Sequence, residues 1–470
     1  MSRKSIWKIF FFCLFNLIFL TIFALEVNES HDMQYGLFAI IQGTLGVLLL
    51  KDVYPIYSLA PLFLIFSEIM HFGQALLLGI GRYDLFDYLN IDLAGNIVNY
   101  NIANIFAFSI QSMVIVGMLI AAGTDEKYKI RQVLTIDKVY ANNQKLSYKV
   151  GLLLFLIGVF PTVLYYGKML QQTLSGTSYV GIRESVDIGP LLLLTVFFHP
   201  GIFLMIMGSS KNKVKAKSIF WLACTFEMIS MLTGNRGNQL MYLIVYVFIY
   251  YRFIGKFNWK RVIPLALIGY VGIAFMYAIS STRLYGFASF GFDSFLKILK
   301  GEPLLALLAE QGSTLNIVAL AIRDVPTYTQ FSLGFQYLIS LLSVLPDTGG
   351  WQGNLPSLVN TLNYLNTNLP LGDSYIAELY HNFGWFSLPF AILIGFFIGR
   401  VTKRIEFFIK TSNYLCLGSY FILFGKLLWM VRCNFFNFLF DFVWSSIIIF
   451  VLFTIVAYNS KKNKRLDLEC

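Results

Sequence analysis

The chain has 470 residues, 57% hydrophobic and 13% charged, with mean hydropathy +0.67 and a formal net charge of +11. Soluble domains are about 25% charged, so this composition excludes a soluble globular protein and requires a polytopic membrane protein. The basic balance does not point to nucleic acid, because the Lys and Arg residues are gathered in short segments between apolar runs.

In chain order, Arg3, Lys4 and Lys8 precede the apolar Ile9–Leu25. This pattern is like a signal peptide, but no small-x-small cleavage site stands before Glu26, so it reads as an uncleaved first span. Apolar runs then fall at 7–25, 36–50, 55–80, 97–122, 150–167, 189–208, 218–233, 239–254, 262–280, 385–400, 413–431 and 435–458. They predict an all-α membrane protein of about twelve spans, several of them near the ~17-residue lower limit. A cytosolic N-terminus puts most of the 36 Lys and Arg on the cytosolic side, including Lys127–Lys149, Lys211–Lys217, Arg252–Arg261, Arg400–Lys410 and Lys461–Arg465. That is the asymmetry of the positive-inside rule, and an even span count returns the basic C-terminus to the same side.

The expected plan is therefore spans one to nine over 1–281, a large external segment over 282–384, and spans ten to twelve with a basic tail over 385–470. The external segment has apolar stretches of its own, Pro303–Ala321 and Phe331–Leu345, which predict short or re-entrant helices. Long loops with internal structure are usually functional. No internal repeat is visible, which weighs against a repeat-built transporter. The five cysteines show neither CxxC nor His/Cys ligand spacing, and no metal or other cofactor is expected.

Cations are few on the external side. Arg236 lies in Leu232-Thr-Gly-Asn-Arg-Gly-Asn-Gln-Leu240, where glycines permit close approach of a ligand to backbone. Its planar fork suits phosphate oxygens, although an interfacial topology arginine has the same address. Arg183, beside Glu184, and Arg283, after the ninth span, are further candidates. Arg323, beside Asp324, suits a helix C-terminus. Arginines from separate loops can hold a diphosphate, the leaving group in transfer from a lipid diphosphate sugar, and stabilise the charge that grows as the C–O bond breaks. This chemistry needs no metal; Asp84 and Asp87 belong more simply to a solvated loop.

The second constellation is Asp373–Gly384. Glu378 and His381 are three apart and share a helical face, with Tyr380 alongside to touch glycan. Either Glu378 or His381 can take the proton of an attacking sugar hydroxyl; an ordinary amphipathic helix is the plainer reading. Asp373 is placed to cap that helix. Within the spans, Glu68 and His71 are expected to bond each other, Glu227 to orient Arg236, and Lys426 to pair with Asp441.

Thr-Gly-Asn-Arg236-Gly at a span boundary, the long external segment, and Ser374-Tyr-Ile-Ala-Glu378-Leu-Tyr-x-Asn-Phe-Gly384 together resemble the O-antigen polymerases (Wzy), or oligosaccharide repeat-unit polymerases. The resemblance in plan covers nearly the whole chain and carries Arg236 and Glu378 as matched positions. It implies a GT-C-like fold and transfer of a growing glycan from undecaprenyl diphosphate onto an incoming lipid-linked repeat unit at the outer leaflet of the bacterial plasma membrane. It also implies partnership with a flippase and a chain-length regulator. The paired arginine–glycine loop spacing described for some polymerases is absent at Arg183, Arg236, Arg283 and Arg323. His381-Asn382 with Gly395 and Gly399 beyond is similar to a feature of the related O-antigen ligases, which keeps a ligase as an alternative beside a lipid-linked oligosaccharide flippase.

Overall fold

The computed structural model describes residues 3–82, 94–123, 144–175, 188–233, 236–255, 299–346 and 372–469, with a few isolated positions between. Helix is the only regular structure among them. In chain order the α-helices are α1 (Arg3–Leu25), α2 (Asp32–Lys51), α3 (Leu59–Gly79), α4 (Ile97–Gly123), α5 (Gln144–Leu174), α6 (Phe198–Gly208), α7 (Lys213–Met231) and α8 (Arg236–Phe253). They continue with α9 (Pro303–Gly312), α10 (Leu315–Asp324), α11 (Phe335–Ser340), α12 (Tyr375–Phe383), α13 (Leu388–Thr411), α14 (Tyr414–Trp429) and α15 (Leu439–Glu469).

Ten helical segments among the described residues are long and apolar enough to cross a membrane. The protein is thus an all-α polytopic membrane protein, as lipid requires of a chain that must satisfy its own backbone. The composition of these segments differs from the expected twelve in specific places. The runs at 218–233 and 239–254 form α7 and α8, but they are not among the ten. Lys213, Lys215, Lys217 and Glu227 lie on α7, and Arg236 and Arg252 lie at the two ends of α8. The expected span at 262–280 falls almost wholly outside the described residues. Conversely, Pro303–Asp324, expected in the external segment, qualifies by length and composition although it breaks at Ser313-Thr314 into α9 and α10.

The chain forms two compact units. Unit 1 comprises Met1–Asp125, Leu305–Arg404 and Leu427–Asn437. Between apolar helices in lipid there is little hydrophobic drive, so packing and buried polar contacts decide the arrangement. At Gly73 and Gly312 the backbones of α3 and α9 touch, and a side chain at either would strike the other helix. Gly117 and Gly395 do the same for α4 and α13. A polar knot pins α1, α2 and α4: Gln42 Nε2 donates to Asn16 Oδ1 at 2.6 Å and to Ser112 Oγ at 2.7 Å, and Ser112 Oγ donates to Asn16 Oδ1 at 2.9 Å. Bonds of this kind contribute roughly 0.6 kcal/mol each in membranes.

Unit 2 comprises Glu126–Leu304, Ile405–Lys426 and Phe438–Cys470. Here Gly151 and Gly201 bring α5 and α6 into backbone contact, and the helices α6, α7 and α8 pack around buried aromatic rings, with Tyr246 and Phe203 fully enclosed. Arg252 of α8 is ion-paired with Glu406.

Candidate functional site

The expected helix over Asp373–Gly384 is present as α12, and it is held at both ends. Its cap is one residue later than expected: Ser374 Oγ, not Asp373, accepts from the amides of Ile376 and Ala377, at 3.2 and 3.5 Å. Asp373 instead accepts from the Ser374 amide at 2.8 Å. Ser374 Oγ also meets His71 Nε2 at 2.8 Å. His71 Nδ1 faces the Ser67 carbonyl at 3.1 Å, which can only accept, so Nδ1 carries the proton and Nε2 accepts from the serine. His71 therefore ties α12 to α3 rather than bonding Glu68, and Ser67 Oγ adds a 3.1 Å contact to Tyr375.

At the other end, the amides of Ser332 and Leu333 donate to the carbonyls of His381 and Asn382, each at 2.9 Å. These are last-turn carbonyls that a helix leaves unsatisfied. The turn that delivers them passes through Gly334 at φ +84°, a conformation glycine adopts without strain. It leads into α11, where Gln336 is buried and its Oε1 lies 2.8 Å from His381 Nδ1 and 3.3 Å from Asn382 Nδ2.

Between these anchors sits an unusual concentration of polar atoms. Glu378 is fully buried; its Oε2 accepts from the Phe435 amide at 2.7 Å, and its Oε1 has no partner. Tyr337 OH and Asn382 Oδ1 are likewise buried without a partner. Burial, then the carboxyls of Glu378 and Asp373, push the Tyr337 phenol up. Burial pushes the Asp373 carboxyl up to about 7 against the lowering effect of the Ser374 amide. Each unpartnered buried polar atom costs about 1–3 kcal/mol, so three in one place form a pre-set polar surface that a bound hydroxyl-rich ligand would satisfy. Glu378 and His381 share a face of α12, as the spacing predicts. Tyr380 packs its ring edge-on against Phe106 and Phe331 and is 7% exposed, a packing position more than an open one.

Gln336, Tyr337 and Arg432 escaped sequence reasoning. Arg432 Nη1 donates to Gln311 Oε1 at 2.9 Å, and its Nε lies 3.8 Å from where a Cβ on Gly372 would stand, so a cation adjoins the turn that bears Asp373. The only sequence signal was an arginine in a short break before the last apolar run.

Unit 2 has its own buried polar centre. His199 Nδ1 lies 2.9 Å from Tyr246 OH and 3.5 Å from Glu227 Oε1, and its ring stacks on Tyr242 at 3.4 Å. Lys426 pairs with Asp441 at 2.6 Å, as expected of charges inside spans. Gln239 donates to Tyr166 OH at 2.7 Å. Gln239, Tyr242 and Tyr246 recur at helical spacing on α8, and Arg236 is the first residue of that helix. Glu227 is thus engaged by His199 and Tyr246. Arg183 and Arg283 lie outside the described residues, as do Asp84, Asp87 and the side chain of Arg236. Arg323 ends α10 in an ion pair with Asp324 at 2.7 Å. Among the described residues no group of three His, Cys, Asp or Glu side chains could hold a metal ion.

No curated protein matches the chain, and no solved structure does. A family match does exist, and it runs over residues 8–464, taking in both units and every candidate discussed above. On that match, the chain belongs to the O-antigen polysaccharide polymerase Wzy family.

Proposed function

We propose that this polymerase joins undecaprenyl-diphosphate-linked oligosaccharide repeat units at the outer leaflet of the bacterial plasma membrane. The growing glycan is transferred from its carrier onto the sugar of an incoming unit. An acceptor hydroxyl attacks the anomeric carbon, the bond from that carbon to the diphosphate oxygen breaks, and the electron pair leaves on undecaprenyl diphosphate. The hydroxyl proton passes to a base on α12, either Glu378 or His381. Arg236, Arg183 and Arg283 are assigned to the diphosphate, where fixed cations favour the transition state over the ground state. The proposal places both termini in the cytosol, in keeping with the distribution of Lys and Arg. A flippase supplies the units, a chain-length regulator sets the product size, and the transfer proceeds on protein charges with no resident metal.

The observation that carries the reading is the buried polar centre on α12 within a chain matched to the polymerase family over residues 8–464. Deletion of the protein is expected to leave surface glycan of a single repeat unit. Long polymer accumulating on the carrier lipid would instead indicate a ligase, and repeat units that never leave the cytosolic face a flippase.

A further inference from the structure

We infer that Gln336 is a positioning residue which holds His381 with its proton on Nδ1, so that Nε2 is the atom that accepts the acceptor-hydroxyl proton. The inference rests on the transfer reading above and decides which α12 group is the base.

One atom in this chain of contacts has a fixed role. The Glu378 backbone carbonyl can only accept, and Asn382 Nδ2 lies 2.8 Å from it. The Asn382 amide is therefore turned with its nitrogen toward the helix. The same nitrogen, which can only donate, lies 3.3 Å from the Gln336 side-chain atom it faces, so that atom is the oxygen Oε1. Oε1 in turn lies 2.8 Å from His381 Nδ1. An amide oxygen only accepts, so Nδ1 bears the hydrogen and Nε2 keeps its lone pair. Direction propagates from a carbonyl that cannot reverse, through two amides, to the imidazole.

Gln336 is itself held firmly. Its backbone N–H donates to Ser332 Oγ at 3.0 Å, and the Ser332 backbone N–H donates back to the His381 carbonyl at 2.9 Å. The segment that carries Gln336 is thus stitched to the turn of α12 it orients. When His381 takes a proton, its Nδ1–H bond to Oε1 becomes charge-assisted and strengthens, a gain made in the transition state and not before it. Glu378 is the weaker candidate for the base. One oxygen is already engaged by the Phe435 amide and the residue has no exposed surface, whereas His381 keeps 6% of its surface exposed. Glu378 lies one turn away on the same helix, its carboxyl turned to the Phe435 amide.

The test uses the full-length protein with Gln336→Leu, Gln336→Glu and His381→Ala, each the sole copy in a deletion strain and matched for membrane level. Surface-glycan length is read from the cells' own repeat units. The purified proteins are labelled with 15N-histidine, and His381 is assigned by its loss in His381→Ala; the chain has four histidines in all. The wild type is expected to show protonated Nδ1 and unprotonated Nε2 at His381. Gln336→Leu should lose that signature and slow transfer about tenfold to a hundredfold, moving glycan to short chains. Gln336→Glu, whose carboxylate can accept the same bonds, should restore both in large part. An Nε2–H tautomer in the wild type, or long glycan with an unchanged signature in Gln336→Leu, would overturn the inference. A deletion strain whose glycan length is normal would sink the polymerase reading itself, a separate result.

Discussion

The buried polar centres of the two units differ in how their groups are partnered. In unit 2, His199, Glu227 and Tyr246 satisfy one another and Lys426 is neutralised by Asp441, with Gln239 Oε1 left without a partner. In unit 1, Glu378 has one oxygen engaged, while its second oxygen, the Tyr337 hydroxyl and Asn382 Oδ1 have nothing. Saturated buried networks fix helices in place; unsaturated ones cost free energy and persist where a ligand or a reaction uses them. Ionisable residues at membrane depth are therefore not equally informative. The unit 2 centre holds α8, and with it the start of that helix at Arg236, whereas the unit 1 centre keeps the unpartnered polar atoms that the proposed transfer would use.

The largest expected effect sharpens that division within unit 2. Arg236→Ala should leave the protein in the membrane and reduce transfer by about 10²–10³-fold, the scale for removing one group that stabilises developing charge, with glycan confined to one repeat unit. Arg236→Lys should also be impaired, because an ammonium lacks the bidentate fork. Long glycan in Arg236→Ala would make unit 2 scaffold throughout.

Next is the scaffold itself. Lys426→Met leaves Asp441 half-buried and uncompensated, and should lower stability by on the order of 3 kcal/mol. The double change Lys426→Met with Asp441→Leu should recover most of that loss in thermal unfolding of the purified protein. Recovery shows a pairing role; equal loss in the double variant would show that the charges do something more.

A smaller effect concerns pH in unit 1. The Asp373 carboxyl is raised from its ordinary range to about 7 by burial, so the folded state binds a proton that the unfolded chain releases. Stability is then greatest below about pH 4 and is lost as pH rises through about 7. Asp373→Asn, neutral throughout, should flatten the melting temperature across that window by a few degrees relative to wild type. An unchanged slope would mean the carboxyl is better solvated than its surroundings imply.

Much of this was legible in the sequence. Lipid demands long apolar runs, so most helices were visible, and the pairing of Lys426 with Asp441 followed from the cost of lone charges in spans. The i, i+3 spacing placed Glu378 and His381 on one face. The segments at the margin are where length and composition differ from the expected plan: α7 and α8 carry charges at their ends and are not among the ten, and α9 with α10 is as apolar as a span yet broken. The cap slipped by one residue because Asp373 and Ser374 are both good caps, and the contact with His71 falls to Ser374. Gln336, Tyr337, the Phe435 amide and Arg432 were out of reach, since their neighbours in space lie about 40 to 120 positions away in sequence. No local pattern marks a glutamine that orients a distant histidine.

In the proposed reading the open centre on α12 carries the transfer. Glu378→Gln tests it most directly, because a glutamine keeps an oxygen for the Phe435 amide and the shape of the buried side chain while removing the carboxylate. With the variant present in the membrane at wild-type level, the account predicts surface glycan collapsed to one or a few repeat units. A wild-type distribution of long chains would contradict it.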